Sequence, residues 1–132
     1  HFDCAIPGSF GVYPSSPAVG DVVSVERFRA RIEALLRQSS IPGSGEYCIE
    51  LGGAADVVAA GSEVVLFWEL ETFGLYKARD ADDQLVAAGW GHDGGWIKRP
   101  HANRSELWQD MRTGLAEAVE KLERDWLISR DE

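Results

Sequence analysis

Two stretches of the chain repeat apolar side chains every three or four residues, a spacing that places them on one face of an α-helix. The first predicts a helix over residues 24–39, capped by Asp21 or Ser24. The second predicts a longer helix from Arg104 to Leu127. Because each helix is apolar on one face only, each must bury that face against another element.

Between the helices the pattern changes to alternation and to runs of β-branched and aromatic residues, which is typical of strands. The predicted strands are Glu46–Leu51, Glu63–Leu70, Thr72–Ala78, Gln84–Trp90 and a last edge strand at 96–99. Residues 54–61 fit a short helix or a loop. Short strands joined by short turns favour an antiparallel meander, because parallel pairing would need long crossovers.

Prolines and glycines mark the segments outside these elements. Residues 1–20 hold them at a spacing that forbids a helix, so we predict an irregular arm, with a short strand near 10–13 that could cover a sheet edge. Residues 89–96 combine glycines with Trp90 and Trp96, which indicates a loop that carries large apolar side chains. The tail over 129–132 is predicted to be loose.

Together the elements predict a single α+β domain spanning residues 1–132. Its core would be an antiparallel meander of four or five strands with both helices, N-terminal and C-terminal, packed on one face. The length of 132 residues fits one domain. There is no run of about 18 apolar residues that could cross a membrane and no intact signal peptide, so we predict a soluble protein of the cytoplasm.

The net charge of −9 is concentrated in the middle of the chain. Residues 44–93 hold ten acids and two bases. Such a field repels nucleic acid and anionic membranes, whose binding needs a cationic surface, and it attracts a basic partner. The alternative is that the charge only keeps the protein soluble.

The two cysteines, Cys4 and Cys48, are too few for a disulfide scaffold. A single bridge between them would fit an exported protein. We predict instead that both are reduced and that Cys48 acts as a small buried apolar residue.

Residue types suited to catalysis occur in the chain, but their placement argues against an active site. Cys48, His92 and Asp93 could supply a nucleophile, a base and an orienting group. However, Cys48 lies inside a predicted strand, away from any helix N-terminus that would lower the pKa of its thiol. The spacing of His92 and His101 matches no zinc signature. We predict no enzyme, no metal and no cofactor.

The tryptophans and carboxylates remain as candidates for function. Trp68 and Trp126 lie on predicted apolar faces and are expected in the core. Trp90 and Trp96 either plug the end of the sheet or form a recognition surface, to which tryptophan brings a large contact area. The predicted partner-binding residues are Glu69, Glu71, Asp80, Asp82, Asp83, Trp90, His92, Asp93 and Trp96.

This surface predicts a protein that binds and neutralises a basic protein partner, such as a secreted toxin. Nucleases have basic clefts because they hold phosphates, so an acidic surface could block them. In size, acidity and lack of catalytic motifs the chain resembles bacterial immunity proteins. The resemblance implies an inhibitor that acts by docking, as a monomer or a homodimer.

Two other functions fit the sequence. A small acidic chaperone for secretion or assembly, acting as a dimer, would share the order of helix, strand and long C-terminal helix, but it would need an exposed apolar groove. A small enzyme or ligand-binding domain would need a pocket between helices and sheet, lined by Tyr47, Trp68, Tyr76 and His92.

Overall fold

The computed structural model describes residues 2–77 and 85–130, which form a four-stranded sheet and two α-helices. The elements are β1 (Cys4–Pro14), α1 (Val25–Gln38), β2 (Cys48–Ala60), β3 (Glu63–Lys77), β4 (Leu85–Pro100) and α2 (Ser105–Arg130). Short 3₁₀ turns at Pro17–Val19 and His101–Asn103 precede the two helices. No helix in the described part of the chain is long and apolar enough to cross a membrane.

The sheet is mixed, with the strand order β1-β2-β3-β4. β1 pairs with β2 in parallel, whereas β2 with β3 and β3 with β4 are antiparallel. The α+β class is confirmed, but the prediction of a wholly antiparallel meander is wrong at β1. The residues between Pro14 and Cys48, which include α1, supply the crossover that a parallel pair requires.

β1 stands where an irregular arm is predicted. It pairs with β2 from Cys4 to Pro14, with a register shift between Pro7 and Phe10. β1 lies at the edge of the sheet, where a proline without an N–H is tolerated because one side of the strand has no neighbour to bond. The prolines and glycines therefore exclude a helix but not an edge strand.

The other three strands each join segments that the sequence pattern separates. β2 continues through the ambiguous residues 54–61 as far as Ala60, and β3 unites the two strands predicted over 63–78. β4 contains the predicted glycine loop at 89–96, which instead pairs with β3. A glycine is needed there, because a Cβ at Gly94 would lie 2.5 Å from the carbonyl oxygen of Trp68.

α1 lies where it is predicted, whereas α2 continues to Arg130, so the prediction of a loose tail is wrong at residues 129 and 130. The apolar faces of both helices form one core with alternate residues of β2 and β3. The hydroxyl of Ser24 accepts a hydrogen bond from the amide nitrogen of Arg27 at 3.1 Å, which caps α1. The largest fully buried side chains are those of Phe28, Ile32, Ile49, Leu66, Leu107, Met111 and Leu115.

Three tryptophans belong to this core. Trp68 and Trp126 are 8% and 5% exposed, as predicted. Trp108, which lies off the main apolar stripe of α2 in the sequence, is buried too. Its ring is covered by Arg27 of α1, whose Cζ lies 4.7 Å from the ring centroid, so the two helices meet at this pair.

Cys4 and Cys48 form a disulfide, so the prediction that both are reduced is wrong. They are register partners on β1 and β2, and their Cα atoms lie 4.4 Å apart, a separation that a disulfide can span. The error follows from the arm prediction, since only a paired β1 brings Cys4 beside Cys48. The bond ties the edge strand to the sheet and removes the thiol of Cys48 from any nucleophilic role.

Candidate functional site

The sheet face opposite the helices carries a continuous row of four side chains, one from each strand. Tyr13 of β1 pairs with Asp56 of β2, Asp56 pairs with Phe67 of β3, and Phe67 pairs with Trp96 of β4. Side chains that are paired across strands point to the same face, so all four stand together on the open side. We call Tyr13, Asp56, Phe67 and Trp96 the cross-sheet row.

The three aromatic side chains of the cross-sheet row are unusually open to solvent. Tyr13 is 63% exposed, Phe67 is 48% exposed and Trp96 is 66% exposed. Directly opposed residues on antiparallel strands have their Cβ atoms about 5 Å apart, so Phe67 and Trp96 are neighbours on this face. Contiguous exposed apolar surface of this kind marks a site of interaction with another molecule.

A cleft of about 670 Å³ lies along this row on the open face. Next to the row, Glu69 of β3 pairs with Ala54 of β2 on one side and with Gly94 of β4 on the other. Because Ala54 and Gly94 have little or no side chain, they leave space at the bottom of the cleft. At one end the ring of Tyr13 lies over Gly11, where a Cβ would come within 2.5 Å of the tyrosine oxygen. Trp96 lines the other end. The cleft is therefore walled by aromatic rings.

Carboxylates dominate the charge of the open face. Register places five of them there: Glu50, Asp56, Glu63, Glu69 and Glu71. Among the described side chains of this face, one is basic, that of Lys98. Its Nζ lies 3.6 Å from a carboxylate oxygen of Glu63, and neither residue lines the cleft. The described side chains of this face therefore carry mainly negative charge, and Asp56 is the carboxylate within the cross-sheet row.

Arginines neutralise carboxylates elsewhere in the molecule. The pairs are Arg29–Glu33 at 3.1 Å, Arg104–Asp21 at 3.3 Å, Arg99–Glu106 at 3.5 Å and Arg99–Asp110. All of these acids lie on the helices or just before α1, so their pairing leaves the charge of the open face unchanged. Five of the ten acids of residues 44–93 thus lie on the open face of the sheet.

The structure brings three of the predicted partner-binding residues together on the open face: Glu69, Glu71 and Trp96. Trp96 does not plug the end of the sheet, since two thirds of its surface is exposed. Asp93 pairs with Leu70, whose side chain is in the core, so its register position is on the helix side. Asp93 nevertheless lines the cleft, and its carboxylate accepts a hydrogen bond from the amide nitrogen of Gly94 at 2.9 Å.

The remaining predicted residues are not tested. The backbone of β4 includes Trp90 and His92, and His92 pairs with Glu71, but the side chains of Trp90 and His92 lie outside the described part of the structure. Asp80, Asp82 and Asp83 lie outside the described residues altogether.

Sequence reasoning missed the other members of the cross-sheet row. Tyr13 falls in the predicted arm, and Asp56 falls in the ambiguous segment 54–61. Phe67 stands in a run where both alternating sets are apolar, so the pattern does not distinguish the buried face from the open one. The available signal was Glu69, which lies two residues after Phe67 and so marks the same face of β3.

Other parts of the described structure are weaker candidates for a functional site. A groove of about 440 Å³ between β1 and α1 is bordered by Arg29, but this side chain is already bonded to Glu33 and to the carbonyl oxygen of Gly8 at 2.8 Å. Among the side chains that the structure describes, no group of three or more histidine, cysteine, aspartate or glutamate residues could hold a metal ion. The open face is the candidate site.

No protein-family model matches the chain, and no curated protein matches it in sequence. Among solved structures, the N-terminal domain of Thermus thermophilus Protein Y is similar at 11% identity, covering 84% of this chain and 96% of that chain, with a TM-score of 0.35. A minor lipoprotein from Acinetobacter baumannii is similar at 10% identity, covering 93% and 91%, with a TM-score of 0.42. Both likenesses are too weak to bear on what this protein does.

Proposed function

We propose that the protein binds a basic protein partner through the open face of its sheet and neutralises it, as a toxin-immunity protein does. The cross-sheet row carries this proposal, because it joins three exposed aromatic rings to the carboxylate of Asp56. Aromatic side chains supply contact area with few rotamers to fix, and carboxylates steer a cationic partner toward the face.

The charge of the face selects the class of partner. Aromatic rings on an open sheet also suit the stacking of single-stranded nucleic acid, but such sites need cations for the phosphates. Here the rings stand among carboxylates, including Asp56 and Glu69. The row crosses three interstrand spacings, about 14 Å in all. That width fits a loop or an extended segment of a protein.

Neutralisation follows from the chemistry of a basic cleft. An enzyme that acts on nucleic acid holds phosphates with lysine and arginine, so carboxylates docked in their place would block the substrate. The five carboxylates of the open face are fixed on β2 and β3, in the middle of the sheet. A rigid acidic surface of this kind suits an inhibitor, because little order has to be gained on binding.

The Cys4–Cys48 disulfide bears on the compartment in which this occurs. Disulfides persist in oxidising compartments and are rare in cytosolic proteins. The cytoplasmic location predicted from the sequence stays a prediction, and the disulfide favours an oxidising compartment instead. Alkylation of thiols in intact cells tests this directly: cysteines that resist alkylation until a reductant is added support the oxidising compartment, and immediate alkylation supports the cytoplasm.

A binding experiment with matched variants tests the proposal. The immobilised protein retains candidates from an extract of its source cells made without reductant, and each candidate is then purified. The open-face variant is Asp56→Lys with Glu69→Lys, and its control is Glu117→Lys with Glu120→Lys, on exposed positions of α2. Both change the net charge equally. The milder Asp56→Asn replaces the first variant if its melting temperature shows that it does not fold.

We expect a purified basic partner that loses at least about tenfold in affinity for the open-face variant and less than about twofold for the control. The partner's own activity should fall when the wild-type protein is added. Equal affinity for both variants would overturn the proposal, as would the absence of any partner whose binding separates them.

A further inference from the structure

We infer that the cross-sheet row holds an arginine side chain of the partner. Its guanidinium would lie over the aromatic surface of Phe67 and Trp96 and donate hydrogen bonds to the carboxylate of Asp56. This inference rests on the proposed function and names the side chain by which the partner is anchored.

The protein already covers several of its rings with its own arginines. Arg27 lies over Trp108 and Arg130 over Trp126, each with Cζ 4.7 Å from the ring centroid. A guanidinium within about 6 Å of a ring centroid is attracted by the electron density of the ring face. Among the described residues no cation lies over the rings of the cross-sheet row, although these rings are the more exposed ones.

Asp56 stands where a cation on those rings would need a counter-charge. It is the direct register partner of Phe67, one interstrand spacing of about 4.8 Å away, and Tyr13 flanks it on the other side. Asp56 is exposed, and among the side chains that the structure describes it has no hydrogen-bond or ion-pair partner. A guanidinium stacked on Phe67 is therefore within reach of its carboxylate.

The shape of the cleft suits arginine better than lysine. Arginine has a planar head group that stacks on rings and donates two parallel hydrogen bonds to one carboxylate, and it is less strongly hydrated than an ammonium group. The low floor at Ala54 and Gly94 leaves room for the aliphatic stem. Lysine could reach the same carboxylate but would gain less from the rings.

Titration with short peptides tests the inference on the whole chain. The probes are capped pentapeptides with one central arginine, lysine or citrulline between glycines, so that citrulline keeps the shape of arginine and loses its charge. The readout is the set of indole N–H signals of the five tryptophans in a ¹⁵N-labelled sample. Trp96→Phe identifies the signal of Trp96.

We expect the arginine peptide to shift the Trp96 signal in a saturable way. Its affinity should exceed that of the citrulline peptide by at least about tenfold and that of the lysine peptide by about threefold. Asp56→Asn should weaken arginine binding at least about fivefold, whereas Glu117→Gln on α2 should leave it unchanged.

Three results would overturn the inference: no detectable arginine binding, equal binding of citrulline or lysine, or full binding to Asp56→Asn. These results are distinct from a failure of the proposed function. If the purified partner still separates the open-face variant from its control, the partner docks on the acidic face without an arginine anchor. If the partner binds the open-face variant and its control equally, the proposed function and the arginine anchor are both wrong.

Discussion

Gly114 of α2 leaves the space that the indole of Trp68 occupies, since a Cβ at Gly114 would lie 2.5 Å from Cζ2 of Trp68. Trp68 stands on the helix side of β3, and its sequence neighbour Phe67 stands on the open side. The contact of Trp68 with α2 therefore helps to fix which face of β3 is buried. Because side chains alternate along a strand, it also fixes Phe67 in the cross-sheet row.

The first prediction concerns this contact. Gly114→Ala should lower the free energy of unfolding by about 1–2 kcal/mol, because the cost of overpacking against Trp68 exceeds the gain in helix propensity of about 1 kcal/mol. Urea unfolding measures the change. Gly43→Ala is the control, since a Cβ there has nothing within 4 Å. A stabilised Gly114→Ala variant would show that α2 does not pack on Trp68 in this way.

The second prediction separates binding surface from core. Trp96→Ala should change the free energy of unfolding by less than about 1 kcal/mol, because its side chain is mostly in solvent. Trp68→Ala should cost about 3–5 kcal/mol, because it empties part of the core. Thermal or urea unfolding compares the two. A large loss of stability in Trp96→Ala would mean that its ring packs against the protein.

The third prediction concerns the disulfide. Cys4 and Cys48 are 44 positions apart, so their bond restricts a long loop in the unfolded chain. Its reduction should lower the free energy of unfolding by about 4 kcal/mol in the chain-entropy account. Unfolding with and without reductant measures the difference. The double variant Cys4→Ser with Cys48→Ser is the control, and it should be as unstable as the reduced protein and indifferent to reductant.

The fourth prediction concerns the start of α1 and α2. A hydrogen bond from Nε of Arg104, 3.3 Å from the carboxylate of Asp21, lowers the pKa of Asp21 below its ordinary value of 3.8. Its stabilising effect should be present above about pH 4 and should disappear as the pH falls through the lowered pKa. Carbon NMR of the carboxyl group follows the titration. Arg104→Gln should raise the pKa of Asp21 again, and an unchanged titration in this variant would contradict the assignment.

The helices and much of the core follow from the sequence, because a repeat of 3.6 residues has one structural meaning over a long stretch. α1 and α2 and the burial of Trp126 are examples. β1 does not follow, since an edge strand tolerates the prolines that argue against regular structure. The disulfide could not be predicted without β1, because strand pairing, and not the local sequence pattern, places Cys4 beside Cys48.

The candidate site follows only in part for a similar reason. Glu69, Glu71 and Trp96 stand out in the sequence by their charge and their size. Their alignment with Asp56 depends on the register between strands, which the burial of one sheet face and the geometry of the turns set together. The glycines around position 94 indicate a loop when read locally, whereas in the sheet they allow β4 to lie close against Trp68. Strand pairing therefore decides both the alignment of the site residues and the conformation of the glycine segment, and a local sequence pattern does not show which strands pair.

Hydroxyl-radical footprinting of the protein with its purified partner shows whether the partner docks on the open face, since the oxidation of a side chain reports its exposure. In the free protein Tyr13, Phe67 and Trp96 should be oxidised, together with the exposed Leu127 and Ile128 of α2. In the complex we predict severalfold protection of the three rings and unchanged oxidation of the two helix residues. Protection of Leu127 and Ile128, with the cross-sheet row still oxidised, would contradict the account.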